Sequence, residues 1–438
     1  MDLSRFLGQR PPAKSAAPEA ADPRALRGEG DAIAASVAKF LERTGLFDRE
    51  TYLRTYPDVA KSGLDPLHHF IRVGIHAGRN FTSLETIARL WREVLRAQDA
   101  EPTAPPAAPP NARAALYVSS LGNFFMTEIA EVLRAGFADA GVPCTIIDEN
   151  AAPSRDATHH IVIAPHEFFA LGEGKRWAND AFVGRAIMFS TEQIQTHWFA
   201  RSLVFLTRAK AVADMNEQTA AILRKAGVRA VAVQPGFSES FAPFKAGAPA
   251  SEALESLPAA TRNFDEAANP SLAARPLDVL FLGSHSPRRE KWLAVYAAKF
   301  SSLNAFVYHT RVHRPLGPAH SPMASSATTS ALLRRSKLLI NLHRDEYTYF
   351  EWWRLMQAFW HKTAVVTEAC FPHPLFKPGV HYFEEAPRHI HHLAAWLATT
   401  PDGQAKAEEV RVRAFQTLTA RATARDAALA LLYAGGAA

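Results

Sequence analysis

The spacing of apolar residues changes character several times along this chain. From Ile33 to Gln98 they return at helical intervals, first in "IAASVAKFLERTG" and last in "SLETIARLWREVLRAQ". From Ala114 onward, short apolar runs alternate with amphipathic stretches. "AALYVSS" predicts a strand, "LGNFF" a loop, "MTEIAEVLRAGFADAG" a helix and "VPCTIIDE" the next strand. "HIVIAP", "RAIMFSTEQ", "AKAVADMN", the helix "EQTAAILRKAG" and "RAVAVQPG" continue the series. A second series opens at "LDVLFLGSHSPRREKWLAVYAAKF". It runs through "LNAFVYHTR", a helix near Thr328 to Ser336, "KLLINLH", an aromatic-rich helix, "TAVVTEA" and "VHYFEEA". Helices that include "AKAEEVRVRAFQTLTARATARDAALALLYA" end the chain. Short apolar strands alternating with helices predict parallel sheets covered on both faces.

Proline- and alanine-rich stretches punctuate these series and set the expected layout. Residues 1–32 read as disordered, 33–98 as a helical module and 99–112 as a Pro/Ala linker. A first Rossmann-like domain spans 113–245, a second linker 246–276 and a second Rossmann-like domain 277–395, with C-terminal helices over 396–438. The expected fold is therefore α/β, with two Rossmann-like domains facing a cleft behind a small all-α module. Such pairs bind ligands in the cleft, near the carboxyl ends of the strands.

Composition narrows the classes. Apolar residues make up 48% and charged residues 21% of 438 positions, ordinary for a globular protein. The net charge of +6 is mild and no Lys/Arg run exceeds two residues, so no nucleic-acid partner is expected. Only Cys144 and Cys370 are present, too few for a disulfide framework. With no signal-peptide core and no run of membrane-spanning length, the reading is a cytoplasmic protein whose basic surface permits peripheral contact with the inner membrane. There is no Asp-x-Asp, no HExxH and no Cys/His set among the 18 histidines, so no metal is expected.

Two stretches carry candidate chemistry. In "LGSHSPRREKW", Gly283 allows close backbone approach and the helix start beyond it favours an anion, with Arg288, Arg289 and Lys291 adding positive charge. In "FEWWRLMQAFWHK", Glu351, Arg354, Gln357, His361 and Lys362 fall within an arc of about 140° at about 100° per residue. Trp352, Trp353, Leu355, Met356, Phe359 and Trp360 fill the other side. The polar arc is either a solvated face with a Glu–Arg pair or the wall of a ligand site.

"DVLFLGSHSPRREKWL", "KLLINLHRDEYTYFEWWRLMQAFWHKTAVVTEACFPHPLFKPGVHYFEEAP" and "MFSTEQI" through "VADMNEQTAAILRKAGVRAVAVQPGFS" resemble bacterial GT-B glycosyltransferases of the group 1/family 4 kind. "FDRETYLRTYPDVAKSGLDPLHHFIRVGIHAGRN" resembles a helical module found beside polysaccharide glycosyltransferases. The resemblance implies transfer from a nucleotide-sugar co-substrate to a glycan, lipid-linked or protein acceptor, without a metal. It implies donor contacts from Gly283, Ser284, Arg288, Lys291, His309, Asn341, His343, Tyr349, Glu351, Arg354, Gln357, Thr367 and Glu368. Gly122 and Asn123 would meet the acceptor, and Glu167, His166 or Glu192 would supply a base. Two positions depart from the common pattern: Gln357 stands where Glu is usual, and Tyr349 where an earlier Glu is usual. Glu351 with Arg354 matches a subgroup pattern, Phe/Leu-Glu-x-x-Arg, and a carboxylate suits a ribose diol because it accepts two hydrogen bonds. The rival expectation, kept alive by Gln357, is a non-catalytic relative that binds a glycan or a partner.

Overall fold

The computed structural model describes residues 27–95, 106–244, 255, 259–265, 271–310, 315 and 325–436. Most of the N-terminal stretch read as disordered, and much of both linkers, lie outside the described residues.

Two parallel sheets organise the chain. The first runs in the order β2-β1-β3-β4-β5-β6, with β1 Ala114–Tyr117, β2 Cys144–Ile147, β3 His159–Ile163, β4 Ala186–Ser190, β5 Ala211–Asp214 and β6 Ala230–Ala232. The second runs β11-β10-β9-β7-β8, with β7 Leu277–Ser284, β8 Ala305–Thr310, β9 Ser336–Asn341, β10 Ala364–Thr367 and β11 Phe383–Glu384. Every residue of β4 and of β9 is buried, because helices cover both faces of each sheet. The strand order reverses between β1 and β3 in the first sheet and between β7 and β9 in the second. Each reversal opens a crevice at the carboxyl ends of the strands, the place where open α/β sheets take ligands.

The chain crosses back at its end. Phe237 exchanges backbone hydrogen bonds with Ala422 and Ala424 (2.9 and 2.8 Å), and helix Ala424–Ala434 then packs on helix Phe124–Asp139 of the first domain. The sequence places this last helix in neither domain, because its apolar stripe does not say which sheet it covers. Gly136 sits under the crossing, where an added methyl would collide with the Ala424 carbonyl oxygen. Overpacking costs about 1–3 kcal/mol, more than the ~1 kcal/mol that alanine gains over glycine inside a helix. Gly136→Ala is therefore expected to lower the urea unfolding midpoint. An unchanged midpoint would mean the crossing helix can move aside.

The N-terminal module comprises helices Arg27–Thr44, Arg49–Thr55, Pro57–Ser62, Pro66–His69 and Leu84–Leu95 around an aromatic core in which Phe70 and Phe81 stack at 4.9 Å. It touches both domains. Arg43 donates to the Ala226 carbonyl of the first domain (3.1 Å), and Trp91 packs against Phe371 of the second at 4.6 Å. Among the described residues no helix is long and apolar enough to cross a membrane.

Candidate functional site

A cleft of about 390 Å³ lies between the two sheets. The first domain lines it with Phe124, Phe125, Glu128, Glu192 and Asp214, and the second with Gly283, Ser284, Tyr349, Glu351, Arg354 and Gln357.

The second-domain wall is built on buried ions. Glu351 caps helix Trp352–Trp360 without bonding the helix's own N–H groups, which leaves its carboxylate to the side chains around it. Arg354 donates Nε to Oε2 at 2.6 Å, and Arg289 places Nη2 3.5 Å from Oε1. Burial pushes the Glu351 carboxyl up, but Arg354, Arg289 and His343 together outweigh it and hold the group below its ordinary range. Oε1 is buried and accepts no hydrogen bond from the chain. Arg289 is itself fixed through Nε to the Leu342 carbonyl (2.8 Å) and Nη1 to the Ser284 carbonyl (3.2 Å), and burial beside Arg354 pulls it down to about 10. Arg354 also donates to the Leu282 carbonyl. The polar arc of the aromatic helix is thus mostly buried: Gln357 and His361 are as buried as Trp352 and Trp360, while Lys362 at its end is exposed.

Behind this wall is a second ion cluster. Arg288 pairs with both oxygens of Glu368, Nη1 lying 2.7 Å from Oε1, and donates to the His343 carbonyl (3.2 Å). The His343 ring lies with Nδ1 at ion-pair distance from Glu368 (3.0 Å), without a hydrogen bond to it, and with Nε2 2.8 Å from the Tyr349 carbonyl, so acceptors flank both nitrogens and favour the protonated ring. Burial lowers the His343 pKa, yet Cys370 and Glu368 carry it up to about 10. Burial raises Glu368, yet His343 and Arg288 bring it down to about 2.

On the first domain, Ala164 directly after β3 has φ +50°, a left-handed conformation that costs a non-glycine residue about 1–2 kcal/mol. The turn aims His166 and Glu167 at the crevice. Asn123 donates its backbone N–H to Glu167 (2.9 Å) and its side-chain amide to the other oxygen, and a methyl on Gly122 would strike the same carboxylate. His166 Nε2 lies 3.5 Å from Glu192 Oε1. Burial drives His166 down to about 3, so it is neutral, while burial and the charge of Glu167 raise Glu192 to about 7. Burial likewise raises Asp214 to about 7.

The structure therefore sorts the sequence candidates. Gly283, Ser284, Tyr349, Glu351, Arg354, Gln357 and Glu192 line the cleft. Gly122, Asn123, His166 and Glu167 cluster beside Glu192 at the β1/β3 crevice. Seven others need correction as cleft contacts. Arg288 is engaged by buried Glu368, and His343 and Glu368 are locked in the same cluster. Asn341 and Thr367 are wholly buried and bond each other at 3.0 Å. Lys291 is exposed, two residues past buried Arg289 and so on the opposite face of their helix. His309 alternates on β8 with the cleft residues Tyr308 and Thr310 and instead faces His285 at 5.4 Å.

Two cleft carboxylates, Glu128 and Asp214, escaped the sequence reading. Glu128 is four residues before buried Val132, on the apolar side of its helix, and Asp214 ends the apolar run "AVAD". An acid on a buried stripe or at a strand end is the signal that finds both. Gln357 donates to Glu128 at 2.6 Å, which gives the departure at 357 a physical reason: a glutamate there would set two carboxylates against each other. Among the described residues no group of three or more His, Cys, Asp or Glu is placed to hold a metal ion. A second, open groove of about 530 Å³ lies beyond the end of β2, lined by Arg176, Trp177, Phe182 and Arg185.

No family model matches the chain, and no curated protein matches its sequence. Among solved structures, Anabaena HepE in complex with UDP-glucose is similar at a TM-score of 0.45 and 10% identity, over 73% of this chain and 98% of that one. A Thermobaculum terrenum O-GlcNAc transferase is similar at 0.38 and 13%, over 91% of this chain and 81% of that one. The chain's own architecture, two parallel-sheet domains facing one cleft behind a small helical module, is that of the GT-B fold.

Proposed function

We propose that the protein is a glycosyltransferase that takes a nucleotide sugar in the cleft between its domains and transfers the sugar to a glycan, lipid-linked or protein acceptor. The observation that supports this best is Glu351. A carboxylate at the mouth of a helix, clamped by Arg354 and Arg289, keeps one buried oxygen that is ion-paired to Arg289 but accepts no hydrogen bond, in a cleft wide enough for a ligand. A ribose hydroxyl satisfies that oxygen, and a diphosphate beside it meets Arg354, the Gly283–Ser284 strand end and the start of helix Trp352–Trp360. Fixed charges and helix dipoles of this kind stabilise a departing diphosphate without a metal. Glu192, backed by neutral His166, is the group placed to take a proton from the acceptor hydroxyl.

A thermal-shift series with UDP, GDP, CDP and ADP and their sugars, each with and without EDTA, tests the reading. One nucleotide series is expected to stabilise the protein, and chelation is expected to leave the shift unchanged. No shift with any nucleotide removes the donor site, and a shift abolished by EDTA removes the metal-free part.

A further inference from the structure

The transfer described above leaves two cleft carboxylates, Glu128 and Asp214, without a task, and Glu128 is the one held from across the cleft. Glu128 sits on helix Phe124–Asp139 of the first domain, only 4% exposed, yet it lines the cleft. Its Oε2 is held from the opposite domain, by Gln357 Nε2 at 2.6 Å and Trp353 Nε1 at 3.2 Å. Its Oε1 is buried and makes no hydrogen bond within the chain. Burial raises the carboxyl to about 7, although Ser326, Trp353 and Gln357 beside it oppose the rise. A buried acceptor left unmade is costly, and with Trp353 and Gln357 on one oxygen and the Ser326 hydroxyl only beside the carboxyl, the other oxygen is open to a partner from outside the chain.

The lining says what that partner is. A bound cation would need further ligands, and no metal-holding group of acids and histidines exists among the described residues. A second anion would be repelled. A neutral hydroxyl, flanked by the rings of Phe124 and Phe125, meets the demand. Glu128 is tied to the same helix that Glu351 caps, so its ligand is the one that helix faces.

We propose that Glu128 binds a hydroxyl group of the nucleotide sugar, on the ribose or on the transferred sugar, and that Gln357 and Trp353 orient it from across the cleft. The proposal rests on the nucleotide-sugar reading given above. It makes the donor site a property of both domains: the carboxylate comes from one and its aim from the other.

The test is a set of calorimetric titrations on the full-length protein. Wild type, Glu128→Gln, Gln357→Glu and the exchanged pair E128Q/Q357E are titrated with UDP, GDP, CDP and ADP, their 2′,3′-dideoxy forms and their glucose conjugates. Melting temperatures are recorded for each. Glu128→Gln keeps shape and an amide partner for Gln357, so it is expected to bind about tenfold more weakly at an unchanged melting temperature. A loss seen with the nucleoside diphosphate and absent with its dideoxy form assigns the ribose; a loss confined to the glucose conjugate assigns the transferred sugar. Gln357→Glu is expected to lower both affinity and melting temperature. The exchanged pair is expected to recover the melting temperature while its affinity stays at the Glu128→Gln level. Wild-type affinity in Glu128→Gln overturns the proposal, and so does affinity restored by the exchange, which would place the ligand contact on neither residue in particular. Wild type that binds no nucleotide fails the cleft reading itself, a different outcome from nucleotide binding that ignores position 128.

Discussion

Glu351→Ala is expected to destabilise the protein by about 3–5 kcal/mol, the cost of removing one partner from a buried ion pair, and to abolish nucleotide binding. Arg289 is 2% exposed and cannot reach bulk water once its carboxylate is gone. Its other bonds go to the Leu342 and Ser284 carbonyls and the Ser284 hydroxyl, which bear only partial charge. Arg354, one-quarter exposed, can turn outward and recover some hydration, so most of the loss falls on Arg289. The isosteric Glu351→Gln separates stability from binding: it keeps an oxygen for Arg354 but removes the charge and halves the acceptor capacity. That variant is expected to fold, to unfold at a lower urea concentration than wild type, and to bind its nucleotide ten- to a hundredfold more weakly, about 1.4–2.8 kcal/mol. Equal affinity in wild type and Glu351→Gln would move the ribose contact elsewhere.

The second large effect concerns Glu368. Glu368→Gln is expected to cost about 3–5 kcal/mol, since it strands the His343 imidazolium and unpairs Arg288. The cluster also fixes a pH profile. Glu368 is depressed to about 2 in the fold, so its contribution is complete above the ordinary glutamate value near 4.5 and is lost as pH falls toward 2. His343 is raised to about 10, so its contribution is complete below 6.5 and declines as pH rises through 10. Wild-type stability is therefore expected to decline between pH 6.5 and 10, and His343→Asn to lose most of that decline. Urea midpoints across the range measure it. A flat profile in the wild type would mean that His343 is neutral in the fold.

How much of this was legible beforehand differs by residue. Strand alternation and helix periodicity are local, so both sheets and the aromatic helix follow from the sequence, and Glu351 with Arg354 stands out as a charged pair on an otherwise apolar helix. Partnership across the fold is not local. Arg288 and Arg289 are neighbours in sequence, yet one serves Glu368 and the other Glu351, because helix rotation separates them by about 100°. Lys291, in the same basic cluster, turns out to solvent. Nothing near Gln357 in sequence reveals that it faces Glu128, since the two lie 229 residues apart on different domains. Nor does periodicity show that the last helix returns to the first sheet.

The claim on which all of this turns is that the cleft between the sheets is where a nucleotide binds. A crystal structure of the protein grown with its stabilising nucleoside diphosphate tests it most directly. The account predicts the diphosphate between the Gly283–Ser284 strand end and the start of helix Trp352–Trp360, with a ribose hydroxyl on Glu351 Oε1. A nucleotide seated instead in the groove of Arg176, Trp177 and Arg185, with the cleft free of it, would contradict the account.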